Sequence, residues 1–234
     1  MKILLFVLSL TISTFAQTEV KCIYKVIDNK TLDTSKDKDK TDSEKKINEL
    51  FKKTLKLVDK IEYEFLYNNE KSLFRRINIV QDESLNNPYL KLLEAIVSSG
   101  TYYQNRADNT TLHQKDVFGE EFLIEYQILS DWKISNETKY INGYKSFKAI
   151  NLNPINTENN IVEVWFTPNI NTFFGPKGYG GLPGLIVEIK MKLVTLQLKK
   201  IIFNKKIKIK EVKNKKKITL EEYIKIAQEA KNNR

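Results

Sequence analysis

Cysteine and histidine are the residues that this sequence most clearly lacks, because each occurs once, as Cys22 and His113. A lone thiol cannot form an internal disulfide, and one histidine excludes a metal site built from several imidazoles. Any Ser-His-acid triad would have to use His113, which has no nucleophile motif near it in the sequence. We therefore expect a structural histidine, no metal, no cofactor and no enzymatic activity.

Long hydrophobic runs are also absent outside the N-terminus. Residues 1–16 combine a basic start, a short apolar run and the small-x-small ending Thr14-Phe15-Ala16, which is typical of a cleaved secretory signal peptide. The run is shorter than the roughly 20 residues that a membrane-spanning helix needs. Cys22 lacks the small apolar residues that precede a lipidated cysteine. We expect an exported protein of the periplasm or outer membrane that is soluble after cleavage and is not a lipoprotein.

Acidic residues are nearly missing from one C-terminal segment. Between Lys199 and Lys217 there are ten lysines against Glu211, in a chain whose formal net charge is +10. Such a face could meet an anionic membrane surface, whereas export argues against nucleic acid as a partner. The lysines at 206, 208 and 210 alternate with isoleucines, which also fits the solvated face of a strand. Both interpretations of the Lys199–Lys217 face stay open.

Apolar residues alternate with polar ones through most of the chain, which indicates antiparallel strands with one solvated face. Ile61, Tyr63, Phe65 and Tyr67, for example, share one face of a predicted strand. The predicted strands lie near 19–28, 61–68, 72–80, 100–107, 111–118, 121–129, 140–152, 161–167, 185–193, 194–203 and 206–213.

Three helices interrupt this pattern. Residues 44–60 have helical apolar spacing, Asn87-Pro88 opens a short helix, and Thr219 with Glu222 forms a capping box before the last one. Residues 33–46 alternate charges and read as a mobile segment. We predict a mainly β (α+β) fold: a single domain over 17–234, with one curved antiparallel sheet and an N-terminal, a short middle and a C-terminal helix.

Glycine is rare, yet five of the eight glycines and two of the five prolines lie between Gly175 and Gly184. This segment, the glycine loop, connects two predicted strands, and Leu182-Pro183-Gly184 favours a type II turn. We predict a structural closure, with a rim over a pocket as the alternative. The structural residues of this closure are Gly175, Pro176, Gly181, Pro183 and Gly184.

Aromatic residues gather in the strands beside the glycine loop. Such residues pack the core of a sheet, and together they can also line a concave apolar pocket. The candidate binding residues are Trp132, Tyr144, Trp165, Phe166, Tyr179, Leu182 and Pro183.

The hexapeptide from Gly181 to Ile186 reads GLPGLI and resembles the motif of the GLPGLI family (Porph_ging), exported Bacteroidota proteins of unknown function. Ser146 stands where family members often have cysteine. The resemblance implies an envelope protein, often encoded beside TonB-dependent outer-membrane receptors. More loosely, the strand pattern is similar to the half-barrel of the LolA/LolB lipoprotein carriers. Further matching blocks occur in order: Ser72-Leu73-Phe74, Trp132-Lys133-Ile134, Thr138 to Tyr144, Lys148-Ala149, Val164 to Pro168, Gly175-Pro176 and Tyr179.

The expected function is therefore a non-catalytic cell-envelope binding module. Its concave sheet face would take an apolar ligand, such as a lipid or acyl chain, or a partner segment. The alternative is an interaction protein that docks on a TonB-dependent outer-membrane transporter through a sheet edge or the Lys199–Lys217 face. The oligomeric state stays open.

Overall fold

Twelve strands in one open sheet dominate the computed structural model, which describes residues 19–30, 41–77, 87–117, 119–152, 162–204, 209–210 and 216–232. The predicted signal peptide, residues 33–40 and most of the predicted strand at 206–213 lie outside these ranges. The mainly β fold with one open sheet and three helices confirms the predicted fold class.

The strand order across the sheet is β12-β6-β5-β4-β3-β2-β1-β11-β10-β9-β8-β7. All neighbours are antiparallel except β12, which runs parallel to β6 and makes the sheet mixed. The strands are β1 (Glu19–Asp28), β2 (Glu62–Tyr67), β3 (Lys71–Arg76), β4 (Thr101–Asn105), β5 (Thr110–Val117), β6 (Glu120–Gln127), β7 (Trp132–Ile141), β8 (Tyr144–Asn151), β9 (Val162–Thr167), β10 (Leu185–Lys190), β11 (Val194–Asn204) and β12 (Lys216–Thr219).

The two strands that the sequence did not predict are the two outermost ones, β7 and β12. Side chains of β7 are mostly exposed on both faces, and its pairing with β8 is irregular between Ile134 and Thr138. Apolar alternation arises only where one face of a strand is buried. Edge strands such as these therefore lack the signal on which strand prediction depends.

The helices are α1 (Asp42–Leu55), α2 (Pro88–Val97) and α3 (Leu220–Asn232), with a 3-10 turn at Val58–Lys60. Residues 41–46, predicted to be part of a mobile segment, instead form the N-cap and first turn of α1. Thr41 and Glu44 bond each other's backbone there as a capping box. The predicted caps of the other helices are present, at Asn87 for α2 and at Thr219 with Glu222 for α3.

The link between β6 and β7 forces the sheet to curl. These strands are ten positions apart in the sheet order, which corresponds to about 48 Å in a flat sheet. Only five residue steps join Gln127 to Trp132, and a fully extended chain covers about 18 Å over that length. The two ends of the sheet must therefore approach each other, although the sheet does not close.

The glycine loop holds the two ends of this curled sheet together. Leu129, in the β6–β7 link, pairs with Tyr179 as a short parallel bridge. Its N–H donates to Gly178 O at 3.1 Å, and its carbonyl accepts from Gly180 N at 3.0 Å. Trp132, at the start of β7, donates from Nε1 to Gly180 O at 2.7 Å. The loop thus contacts the link itself and the first residue of β7.

The main hydrophobic core fills the concave side of the sheet. Tyr24, Tyr63 and Phe74 are fully buried there, and the rings of Tyr63 and Phe74 stack at 5.3 Å. Tyr24 donates its hydroxyl hydrogen to Ile186 O at 2.6 Å, which satisfies the polar end of this buried ring. The strand that follows the glycine loop is therefore fixed directly to the middle of the sheet.

The turn at Gly184 differs from the predicted type II turn. Gly184 N donates to Leu182 O at 2.8 Å, which closes a three-residue turn around Pro183. Leu185 N, which a type II turn would direct at Leu182 O, bonds Ile170 O instead. The carbonyl of Ile170 lies beside the start of β10 and accepts this hydrogen bond in place of Leu182 O.

Gly184→Ala should unfold the protein far more readily than Gly143→Ala. Gly184 has φ +148°, and an added Cβ would lie 2.1 Å from Thr167 O, whereas Gly143 has φ +82° with no atom within 4 Å. Both changes strain the backbone, but only the first creates a clash, so we expect about 2–3 kcal/mol more destabilisation. Urea unfolding of both variants measures the difference, and equal losses would contradict this packing.

Candidate functional site

A cleft of about 300 Å³ lies on the concave side of the sheet, under α2 and α3. Its walls are the C-terminal turn of α2, the concave faces of β4, β5 and β6, the β6–β7 link, the start of β9 at Val162, the glycine loop and the first turns of α3. Apolar side chains of Val97, Ile124, Leu129, Leu220 and Ile224 supply part of the lining. This volume is at the lower end of the roughly 300–1,000 Å³ typical of small-molecule sites.

The C-terminus of α2 is anchored at this cleft by three side chains from three different elements. The last carbonyls of a helix have no partner within the helix. Lys177 Nζ donates to Val97 O at 2.6 Å, and Tyr63 Oη donates to Ser98 O at 3.1 Å. His113 Nε2 lies 2.8 Å from Ser99 O. The glycine loop, β2 and β5 thus hold the end of α2 against the sheet.

His113 is packed as a structural histidine. Its ring stacks on Tyr102 at 3.9 Å with 12° between the ring planes. Its pKa is lowered to about 4, mainly by burial; the hydrogen bond to Ser99 opposes this shift, and the charges of Lys115 and Lys177 add to it. The neutral ring therefore donates from Nε2 to Ser99 O, which leaves Nδ1 as an acceptor.

Lys177 enters the cleft from an unusual backbone position. Its φ is +60°, in the left-handed region that residues other than glycine seldom occupy. Burial lowers the pKa of its amine to about 8, so the charged form still predominates at neutral pH. Besides Val97 O, its Nζ contacts Met191 Sδ at 3.3 Å. A weakly polar thioether and a carbonyl leave this cation without a full negative charge beside it.

The other wall carries a second lysine. Lys115 Nζ donates to Tyr223 Oη at 2.9 Å and lies 5.3 Å from the centre of that ring. This contact joins β5 to α3. Among the described residues that line the cleft there is no aspartate or glutamate. Two lysines and the hydroxyls of Tyr102, Tyr126 and Tyr179 therefore determine its polarity.

Of the seven candidate binding residues, Tyr179 alone lines this cleft. Trp132 is outside the lining but packs against Tyr179, with the two ring centres 5.4 Å apart. Its Nε1 donates to the glycine loop next to the β6–β7 link. Tyr144 is partly buried at the margin of the main core. Leu182 is buried in that core, while Pro183 is exposed on the surface.

Trp165 and Phe166 lie on adjacent positions of β9 and are not among the residues that line the cleft. Trp165 is buried beneath Lys139, whose Nζ lies 4.2 Å from the ring centre, and its Nε1 donates to Glu163. Phe166 packs against Phe147 with ring centres 6.1 Å apart. Ser146, at the position where family members often have cysteine, is buried and donates to Tyr144 O.

The proposed structural residues of the glycine loop lie where the loop meets the sheet. Gly175 N donates to Tyr179 O at 2.7 Å, and Pro176 begins the short 3-10 turn that carries Lys177. Gly181 has φ +77° and stands against Ser130, so that a Cβ would lie 2.6 Å from the serine Cβ. The loop therefore closes the strand connection and also forms a wall of the cleft.

Sequence reasoning missed Lys115 and Lys177 as site residues, and it expected His113 to be a structural histidine. Lys177 is the single charged residue between Gly175 and Gly184, which was a usable signal. Its approach to His113 and Lys115 depends on the curl of the sheet, which no local pattern encodes.

Within the described ranges, no group of three metal-ligating side chains occurs, and no helix is long and apolar enough to cross a membrane. On the Lys199–Lys217 face, Lys199 pairs with Glu62 and Lys217 with Glu125, while residues 205–208 and 211–215 lie outside the described ranges.

Protein stability should fall as the pH drops from 6.5 to 5, and His113→Gln should remove most of this dependence. A histidine has a pKa of about 6.5 when unfolded, whereas that of folded His113 is about 4. Between these values the unfolded chain binds the proton more tightly, so acid favours unfolding. We expect a loss of about 1–2 kcal/mol over this range.

Urea unfolding at several pH values measures this effect. The glutamine amide can still donate to Ser99 O, so the variant should fold. Carboxyls such as Glu64, whose pKa is lowered, contribute only at more acidic pH. If the stability of His113→Gln depends on pH as steeply as that of the wild type, the assignment of this pH dependence to buried His113 is wrong.

Comparison with known proteins places this geometry in context. The family model described as "Protein of unknown function (Porph_ging)" matches residues 155–188, which include β9, the glycine loop and most of β10. No curated protein is significantly similar in sequence.

In shape the chain is similar to the solved structures of PNGF-II in the C2 and P21 space groups. The TM-score is 0.53 for both, at 16% and 15% identity, over 90% and 89% of this chain and 33% of the PNGF-II chain. The chain thus spans about a third of the length of PNGF-II, and at this identity the likeness concerns the fold alone. The family match confirms the resemblance carried by the GLPGLI hexapeptide, to a family of unknown function.

Proposed function

We propose that this protein is a non-catalytic binding module of the cell envelope, and that its ligand site is the cleft under α2 and α3. The observation that carries the proposal is that the space between sheet and helices is open, although the rest of the concave side is filled by the core. A purely structural domain gains stability from filling such a space. An open cleft with charged and hydroxyl side chains is better suited to a ligand.

A non-catalytic role is supported by the way the polar groups are used. His113 donates to Ser99 O and stacks on Tyr102, so it serves the packing of α2. A general base needs a pKa near the working pH, and the low pKa of His113 makes it a weak base. Export to the envelope, as expected from the N-terminal sequence, would give the module access to lipids.

Blocking the cleft tests this proposal. Ala95 lines the cleft and is exposed, so an indole at this position can cover the entrance without disturbing the core. We expect Ala95→Trp to reduce the affinity for a fluorescent fatty acid at least about tenfold, because the ligand loses its buried contact area. Displacement titration and native mass spectrometry of protein purified from the periplasm provide the measurements.

The matched control is Lys91→Trp, which adds the same indole one turn earlier on α2, outside the cleft lining. Its affinity should equal that of the wild type. If wild-type protein carries no lipid and binds no fatty acid, the proposed function is wrong. Equal weakening by both tryptophans would place the ligand elsewhere.

Docking on an outer-membrane transporter is the second candidate, and the edge strand β7 favours it. Tyr140 is 75% exposed and Ile134 is 49% exposed on this ten-residue strand. An exposed strand edge can pair with a strand of another protein. In pull-downs of a TonB-dependent receptor, Ile134→Ser with Tyr140→Ser should abolish retention while Ala95→Trp keeps it. If the double variant still retains the receptor, docking through the β7 edge is wrong.

A further inference from the structure

The cleft concentrates positive charge without a carboxylate to balance it. Lys115 and Lys177 reach it from β5 and from the glycine loop, and both act electrostatically on His113 between them. Among the described residues of the lining, none carries a negative charge. The carbonyl of Val97, at the negative end of α2, offers Lys177 only a partial charge.

The two lysines of the cleft have more N–H donors than the protein acceptors they contact. An ammonium group has three donors. Lys177 directs one at Val97 O and one at the weak acceptor Met191 Sδ, and Lys115 directs one at Tyr223 Oη. Both lysines therefore keep donors for a further acceptor.

The rest of the lining carries hydroxyl groups and also an apolar wall, to which Ile124, Leu129 and Ile224 belong. A neutral apolar ligand would cover the lysines and separate them from water without supplying a countercharge, which disfavours binding. A small inorganic anion would satisfy the lysines but leave the apolar wall in contact with water. An amphiphile with one acidic end satisfies both parts.

We propose that the cleft binds a short or medium acyl chain that ends in a carboxylate, with the carboxylate received by Lys177 and Lys115. This inference rests on the proposed binding function and specifies its ligand. The chain would lie along the apolar wall toward α3, and the volume of about 300 Å³ limits its length. Lys177 has the central role because the glycine loop fixes its backbone and Val97 O orients its amine.

A series of ligands with the same chain tests the proposal. Decanoate, decanol and decyltrimethylammonium each have an unbranched ten-carbon chain, counting the carboxyl carbon of decanoate, and differ in the charge of the head group. Isothermal titration calorimetry gives their affinities. We expect decanoate to bind at least about tenfold more tightly than decanol, as is typical of a hydrogen bond to a charged group, and the cation to bind more weakly still. Lys177→Met and Lys115→Met should each lose about tenfold for decanoate and little for decanol.

Lys199→Met is the matched control, since it removes an exposed lysine outside the cleft. Thermal unfolding verifies the fold of each variant, and Lys115→Met keeps the test valid if Lys177→Met fails to fold. Equal affinity of wild-type protein for decanoate and decanol would overturn the inference and leave the proposed function intact. If inorganic phosphate displaces decanoate at a similar concentration, the claim that the site recognises an acyl chain is wrong. If none of the three amphiphiles binds, both the inference and the proposed site are wrong. Native mass spectrometry of protein purified from the periplasm then tests the broader binding function, which requires that a lipid is bound.

Discussion

The short link between β6 and β7 is the constraint on which the rest of this structure depends. Five residue steps must join strands that stand ten positions apart in the sheet, so the sheet curls until its two ends come close together, without closing. The glycine loop occupies the meeting point and bonds to Leu129 and Trp132. Close approach of three backbone segments needs residues without side chains, which is a physical reason for so many glycines in one loop.

The same loop connects the fold to the candidate site. Its short 3-10 turn holds Lys177 in a left-handed conformation and directs its amine to the last carbonyl of α2. Tyr63 and His113, on β2 and β5, bind the next two carbonyls, those of Ser98 and Ser99. The cleft is therefore bordered by elements that are fixed to one another, so the proposed ligand would meet a preformed site, which reduces the entropic cost of binding.

Local patterns predicted the buried strands and all three helices, because alternation and capping are properties of neighbouring residues. They failed for β7, whose two faces are mostly exposed, and for the turn at Gly184, where Ile170 O captures the N–H of Leu185. Of the candidate aromatic residues, Tyr179 alone lines the cleft, since Trp165 and Phe166 pack elsewhere. Aromatic content shows that a core exists but does not show which rings line an opening.

The sequence by itself determined the secondary structure of the central sheet, the identity of the glycine loop and the family resemblance, since each is encoded in consecutive residues. Only the tertiary structure decided that the sheet curls, that β12 pairs in parallel with β6, and that Lys115, His113 and Lys177 share one cleft. Two of these residues lie on one strand, and the third follows more than 60 positions later. Their proximity depends on chain connectivity and strand order, which are long-range properties that no local window contains.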